Sequence, residues 1–140
     1  MRTKLLAVIA GAALLLAAAT PAIAHHSFAA EFDANKPVKI SGTVYKVEWT
    51  NPHSWIHIEV TGPDGKVERW AVEGGAPNAL IRRGWSKNSL PVGIKIIVDG
   101  FQAKDGSLRA NGRDITFPDG TKLFLGSSGT GAPDEKPKGR

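Results

Sequence analysis

The stretch VKISGTVYKVEW, Val38 to Trp49, decides the fold, because its β-branched residues predict one long strand whose apolar positions change phase. Its apolar residues form two sets of opposite parity, Val38, Ile40 and Val44 in the first and Tyr45, Val47 and Trp49 in the second. Successive side chains of a strand point to opposite faces, so a regular strand cannot bury both sets on one side. We therefore expect a bend or a bulge near Gly42.

The residues after this strand predict an antiparallel hairpin. In SWIHIEVT (54–61) apolar and polar residues alternate, which places Ile56, Ile58 and Val60 on one face and Trp55, His57 and Glu59 on the other. VERWAVEG (67–74) is the returning strand. Asp64-Gly65 lies between the two strands, and this pair suits a turn with positive φ.

A short helix and further hairpins follow. APNALIRRG (76–84) has proline in its first turn and glycine at its end, which is typical of a short helix. VGIKIIVDGFQA (92–103) predicts a fourth strand. Asp-Gly pairs at 105–106 and 119–120 mark two more hairpin turns, and the last strand runs roughly from Lys122 to Leu125.

This order of elements predicts a mainly β fold. A long bent first strand and a short helix between strands three and four match a small OB-type barrel of five to six strands. An open β-sandwich or roll is the alternative. We expect a single domain over residues 25–125, which begins with an irregular N-terminal arm from Phe28 to Pro37.

Both ends of the chain predict segments outside this domain. Arg2 and Lys4 precede the apolar run from Leu5 to Ala19, and Ala22-Ile23-Ala24 fits the small-x-small cleavage rule, so residues 1–24 predict a signal peptide. The run is shorter than the ~20 residues that a membrane-spanning helix needs, so we expect no membrane span after processing. An uncleaved anchor is the alternative. Residues 126–140 are rich in Gly, Ser and Pro and predict a disordered tail.

The composition excludes several classes of function. The chain has no cysteine, which excludes disulfides and thiol catalysis. Removing Arg2 and Lys4 leaves 16 of the 18 basic residues against 13 acidic ones, a net charge of +3 that does not call for a nucleic-acid partner. No phosphate loop, nucleophile elbow or acid–base pair stands out, so the sequence predicts no catalytic residue and does not indicate an enzyme.

The four histidines suggest a metal site. They fall in two short stretches, His25-His26 and His53 with His57. Cleavage after Ala24 frees the α-amine of His25, which can chelate one ion together with the imidazole of His25, or with the backbone nitrogen and imidazole of His26. Nitrogen ligands favour Cu(II), followed by Ni(II) or Zn(II). Binding displaces the proton of an amine whose ordinary pKa is ~7.7–8.0, so the affinity weakens in acid.

A third imidazole is available from the NPHSWIH stretch. The Cα atoms of His53 and His57 would lie ~13 Å apart on one extended strand, which is awkward for joint binding of a single ion. We therefore expect one of them to join the N-terminal pair. His53 is preferred, because its position in a loop gives it more freedom of approach.

Trp55 leads to an alternative function. It faces away from Ile56 and Ile58, so it either forms a ligand-facing aromatic surface or packs under the N-terminal arm. Some OB barrels stack bases or sugars on exposed aromatic side chains. The alternative is therefore a metal-free interaction module that binds a glycan, a peptide or an envelope protein.

Four stretches in order, AHHSF, GTVYKVEWTNPHSWIHIEV, RRGWSKNSL and DGFQAKDGS, resemble an uncharacterised family of small exported bacterial proteins known as a domain of unknown function. The HHS and NPH motifs provide most of the specificity, and the resemblance runs from His25 to about Leu125. It implies export from a Gram-negative bacterium, and thus a periplasmic or secreted location, but no reaction. Together with the histidines it leads us to expect an exported protein that binds a metal ion, first of all Cu(II).

Overall fold

The computed structural model describes residues 28–126. In chain order they form helix α1 (Phe28–Glu31), strands β1 (Phe32–Glu48), β2 (Trp55–Thr61) and β3 (Val67–Glu73), helix α2 (Pro77–Ile81), and strands β4 (Lys95–Ala103), β5 (Arg109–Thr116) and β6 (Lys122–Phe124). The predicted signal peptide, His25 and His26 lie outside the described residues, as does the predicted tail beyond Gly126. Gly126 itself is buried against the end of β6.

The strands close into a ring. They form one sheet in the order β3-β2-β1-β4-β5-β6, and β3 also pairs with β5. That additional pairing is parallel and joins Ala71–Glu73 to residues 109–111, whereas the other strand pairs are antiparallel. The pairing of β3 with β5 closes β1 to β5 into a ring, and β6 pairs with β5. A closed sheet of five strands with a helix between the third and the fourth is the OB-type arrangement. The prediction of a mainly β, OB-type fold is therefore confirmed.

The predicted irregularity in β1 is a bulge at Tyr45. Val44 pairs with Ile58 of β2, whereas Lys46 pairs with the preceding residue, His57, so Tyr45 is the extra residue of the bulged strand. The extra residue reverses the side-chain parity, which explains how both apolar sets reach one core. Buried or core-packed positions are Ile40 and Val44 before the bulge and Val47 and Trp49 after it.

The expected position of this bulge, near Gly42, is wrong by three residues. Gly42 instead allows β1 to approach β2 closely. A Cβ at this position would lie 2.5 Å from the carbonyl oxygen of Glu59, which is far inside van der Waals contact. The absence of a side chain at Gly42 is therefore a packing requirement of the close approach of the two strands.

The expectation of an irregular arm over Phe28 to Pro37 is wrong in part. Its first four residues form α1, and the remainder extends β1 along β4 with an interrupted register. The cause is a small apolar cluster of Phe28, Phe32, Phe101 and Ala103, which joins the arm to β4. The rings of Phe28 and Phe101 meet edge to face with 5.4 Å between their centroids.

The main core fills the inside of the ring. Its most deeply buried apolar side chains are Val44, Ile56, Ile58, Val72, Leu80, Ile96, Val98, Ile115 and Leu125. Burial of one such side chain stabilises the fold by ~1.5–3 kcal/mol. None of the helices within residues 28–126 has the length and apolar character that crossing a membrane requires.

Candidate functional site

The candidate residues of the NPHSWIH stretch lie on the outside of the barrel. Ile56 and Ile58 of β2 are buried in the core, so the side chains of Trp55 and His57 lie on the outer face, where both are half-buried. His53 precedes β2 in the β1–β2 loop. The alternation predicted for this strand is thus confirmed.

Strand register places two carboxylates beside Trp55. Trp55 is paired with Glu48 of β1 on one side and with Glu73 of β3 on the other. The next row of the sheet contains Lys46, His57, Ala71 and Arg109, and Glu73 in turn lies opposite Asn111 of β5. We call this surface the β2 face, with the members Lys46, Glu48, His53, Trp55, His57, Glu73 and Arg109.

His53 is held against Glu73. Its Nδ1 lies 3.0 Å from Oε1 of Glu73 and 3.3 Å from the carbonyl oxygen of Gly74. Only 14% of the His53 side chain and 11% of the Glu73 side chain are exposed. The loop is fixed locally, because the hydroxyl of Thr50 donates to the His53 carbonyl and the amide of Ser54 donates to the Gly75 carbonyl.

His57 has a different environment. Its Nε2 lies 3.8 Å from Oε1 of Glu48, which is too long for a hydrogen bond, and this nitrogen is buried without a hydrogen-bond partner among the described residues. The ammonium group of Lys46 contacts the same carboxylate. Hydrogen bonding to Lys46, more than any other interaction, lowers the pKa of Glu48 below its ordinary value. The ring of His57 also packs 5.8 Å from that of Tyr45.

Trp55 is attached to the N-terminal arm through Arg109. The guanidinium of Arg109 lies over the Trp55 ring, 5.8 Å from its centroid, and Nη2 of Arg109 donates to Oε2 of Glu31 at 2.6 Å. The same guanidinium lies 5.9 Å from the ring of Phe32. The amide of Lys104 also donates to the Glu31 carbonyl, at 2.9 Å. Helix α1 is therefore tied to the β2 face.

The structure does not bring His53 and His57 together. The two histidines flank Trp55, and each one faces a different carboxylate. Within residues 28–126 no three His, Asp or Glu side chains form a group that could hold a metal ion. His25 and His26 lie outside the described residues, so the four-histidine set stays a prediction.

Sequence reasoning did not select Glu48 and Glu73 from the glutamates of β1 to β3. The place of Glu48 on the β2 face follows from the register of β1 on β2, which depends on the bulge at Tyr45. The place of Glu73 follows from the regular register of β2 and β3. The hairpin turn around Asp64-Gly65 fixes the register of β2 on β3 and places Glu73 opposite Trp55, which is the signal that could have found this residue.

Comparison with known proteins places the chain in a family. The model of a family of unknown function, DUF6152, matches residues 12–112. This range contains the HHS and NPH motifs and extends through the first half of β5. A search of curated proteins finds no match. Because the family model covers well over half of the 140 residues, the chain belongs to the family of unknown function DUF6152.

Proposed function

We propose that the protein is exported and binds Cu(II) through a histidine N-terminus that removal of residues 1–24 creates. The ligands are the α-amine with the imidazole of His25 or His26, closed by the imidazole of His53. Such nitrogen ligands favour Cu(II), with Ni(II) and Zn(II) next. Met1 is the only sulfur-containing residue, so the processed chain has no soft ligand that would favour Cu(I) instead.

One observation carries the proposal: the arm that follows His26 is tied to the surface that contains His53. Arg109 links Glu31 of α1 to Trp55, two residues from His53. Phe28 is buried in the apolar cluster with Phe101. An extended chain spans at most ~3.6 Å per residue, so the anchored Phe28 limits how far a ligand only a few residues before it can reach. This tether supports closure of an N-terminal chelate by a ligand of the β2 face.

The same contacts weigh against the metal-free interaction module. A base or a sugar stacks on an open aromatic ring. Trp55 is half-buried, and the guanidinium of Arg109 lies over its ring. A glycan or a peptide would have to displace an arginine that also bonds Glu31.

The test uses two forms of the chain that differ by one residue. One form begins at His25, and the other retains Ala24 and therefore places the free amine one residue earlier. Both are titrated with Cu(II) and examined by electron paramagnetic resonance, after mass spectrometry has established where the exported protein begins. We expect a signal with several nitrogen ligands in the first form and its loss or weakening in the second. Equal binding by the two forms, or no binding by the first, would contradict the proposal.

A further inference from the structure

The segment from the end of β3 to the middle of β4 carries only positive charge. Residues 74–98 contain four basic side chains and no acidic one. Three of the four, Arg82, Lys87 and Lys95, are exposed and have no carboxylate partner within residues 28–126. Most cations elsewhere in the barrel do have such a partner, namely Lys39, Lys46, Lys66, Arg69, Arg109 and Arg113.

These cations lie at one end of the barrel, together with Lys122. Lys95 begins β4, and Lys122, which is exposed and unpaired in the described part of the chain, begins β6 beside the last residue of β5. Because β4 and β5 are antiparallel, the start of β4 lies beside the end of β5. The loop after α2 is fixed against the same end, since the indole of Trp85 donates to the carbonyl oxygen of Phe124 at 2.9 Å. The cations of that loop therefore belong to this end as well.

The nearby carboxylates do not neutralise this end. The acidic residues on the parts of β1, β5 and the β5–β6 turn that pack here are Glu48, Asp114 and Asp119. Glu48 and Asp114 are each paired with a cation of their own strand. The carboxylate of Asp119 accepts the backbone N–H of Thr121. Four exposed cations thus leave this end of the barrel positively charged.

Two exposed apolar side chains accompany the charge. Val92 is 71% exposed and Ile81, the last residue of α2, is 50% exposed. Val92 lies at the tip of a turn before β4, where the amide of Ile94 donates to the carbonyl oxygen of Pro91 at 3.2 Å and Gly93 has a positive φ. The segment therefore presents aliphatic side chains and cations together.

We infer that this end of the barrel binds the surface of a membrane that contains anionic lipids. We call it the basic end, with the members Ile81, Arg82, Lys87, Val92, Lys95 and Lys122. Aliphatic side chains enter the boundary between headgroups and acyl chains, and cations attract the anionic headgroups. A nucleic acid would instead stack on an open aromatic ring, and Trp85 of this loop is only 2% exposed. An acidic protein would use the cations but gives no reason for the exposed aliphatic pair.

The test measures binding to lipid vesicles by co-sedimentation. It uses the chain that begins at His25, which retains every described residue and lacks the apolar run from Leu5 to Ala19, a segment that would itself associate with lipid. We expect binding to vesicles of equal parts phosphatidylglycerol and phosphatidylcholine, and little binding to phosphatidylcholine alone. Binding should weaken as the salt rises from about 0.1 M to about 1 M, because the Debye length falls from ~10 Å to ~3 Å.

The role of charge is tested by combining Arg82→Gln with Lys87→Gln. Each cation near an anionic membrane strengthens binding about fivefold, so the pair should lose about 25-fold. The matched control combines Lys36→Gln with Lys66→Gln, which removes the same charge from exposed positions beside the end of β4 and in the β2–β3 turn. The control should bind nearly as the wild type does.

The role of the apolar pair is tested by combining Ile81→Ser with Val92→Ser. Loss of two aliphatic side chains from the lipid boundary should weaken vesicle binding about tenfold. The matched control combines Val67→Ser with Leu108→Ser, which are 56% and 37% exposed on other parts of the barrel and should not alter binding. All four positions are exposed, and urea unfolding of each variant checks that it folds as the wild type does.

Three results would overturn the inference: no preference for phosphatidylglycerol vesicles, equal losses in a variant pair and its control, or vesicle binding that is indifferent to Ile81 and Val92. The last result, combined with tight binding of polyglutamate, would identify an acidic protein as the partner. None of these measurements involves copper, so their failure leaves the proposed function untouched.

Discussion

Arg109 lies over the indole ring of Trp55, with its Cζ 5.8 Å from the ring centroid, and the same guanidinium bonds the carboxylate of Glu31. One side chain of β5 therefore connects the N-terminal arm to the outer face of β2. Any ligand that the residues before Phe28 provide begins from this anchored position. The contact also explains why Trp55 is half-buried although it faces away from the core.

Replacement of Arg109 by alanine should release the arm. The variant loses an ion pair, ordinarily worth ~0.2–1 kcal/mol, and a cation–π contact worth ~0.5–1 kcal/mol. We expect a loss of about 1–2 kcal/mol in the free energy of unfolding, measured with urea, and faster amide exchange in α1. Faster exchange is the more direct readout, because it reports the arm by itself.

Arg69→Ala is the matched control for this change. Arg69 also combines a carboxylate partner, Glu59, with an aromatic one, Tyr45, but it lies on β3 and has no bond to the arm among the described residues. Its removal should leave exchange in α1 unaltered. Equal effects of the two substitutions on α1 would contradict the assignment of Arg109 as the anchor.

Arg83 should stabilise the last described part of the chain. Its Nη1 donates to the carbonyl oxygen of Gly126 at 2.6 Å, and its guanidinium lies 4.7 Å from the ring centroid of Phe124. Hydrogen bonds to a charged group contribute ~1.5–3 kcal/mol, so Arg83→Ala should cost about 1–3 kcal/mol in urea unfolding and expose β6 to proteolysis. The neighbouring Arg82 is exposed, and Arg82→Ala should do neither. Similar proteolysis of both variants would show that the contact with Gly126 is unimportant.

Gly42→Ala should destabilise the barrel where β1 approaches β2. The added Cβ would meet the carbonyl oxygen of Glu59 at 2.5 Å, and backbone cannot move aside as a flexible side chain can. Overpacking of this kind costs ~1–3 kcal/mol. Thermal unfolding of Gly42→Ala should show this loss, whereas Ser41→Ala, at the exposed neighbouring position, should unfold near the wild-type temperature. A wild-type melting temperature for Gly42→Ala would mean that the strands separate at little cost.

Much of the fold could be predicted because its signals are local. The three Asp-Gly turns place Gly65, Gly106 and Gly120 at positive φ, and the alternation within β2 needs no information from elsewhere in the chain. The change of phase in β1 also required a bulge. The choice of Tyr45 for that bulge depends on which residue of β2 each position meets, and the sequence of one strand does not contain this.

The arm and the carboxylates of the β2 face were harder to predict for the same reason. Helix α1 forms where Phe28 meets Phe101, a partner more than seventy residues away in the chain. Glu73 meets His53 only after β3 has been paired with β2 and the β1–β2 loop has returned His53 to the end of β3. The histidines themselves could be singled out from their clustering, but their partners could not.

Acid should weaken the fold through Asp119, in the β5–β6 turn. Its carboxylate accepts the backbone N–H of Thr121 at 2.9 Å, and this bond lowers the pKa of Asp119 below its ordinary value. A carboxyl group with a lower pKa in the folded than in the unfolded state stabilises the fold above its unfolded pKa of ~3.9, and the contribution is lost as the pH falls through the folded pKa. The urea concentration at the midpoint of wild-type unfolding should therefore decrease as the pH is lowered below about 4. The midpoint of Asp119→Asn should decrease less over the same pH range. If the two midpoints keep a constant separation from pH 6 to pH 2, ionisation of Asp119 is not linked to folding.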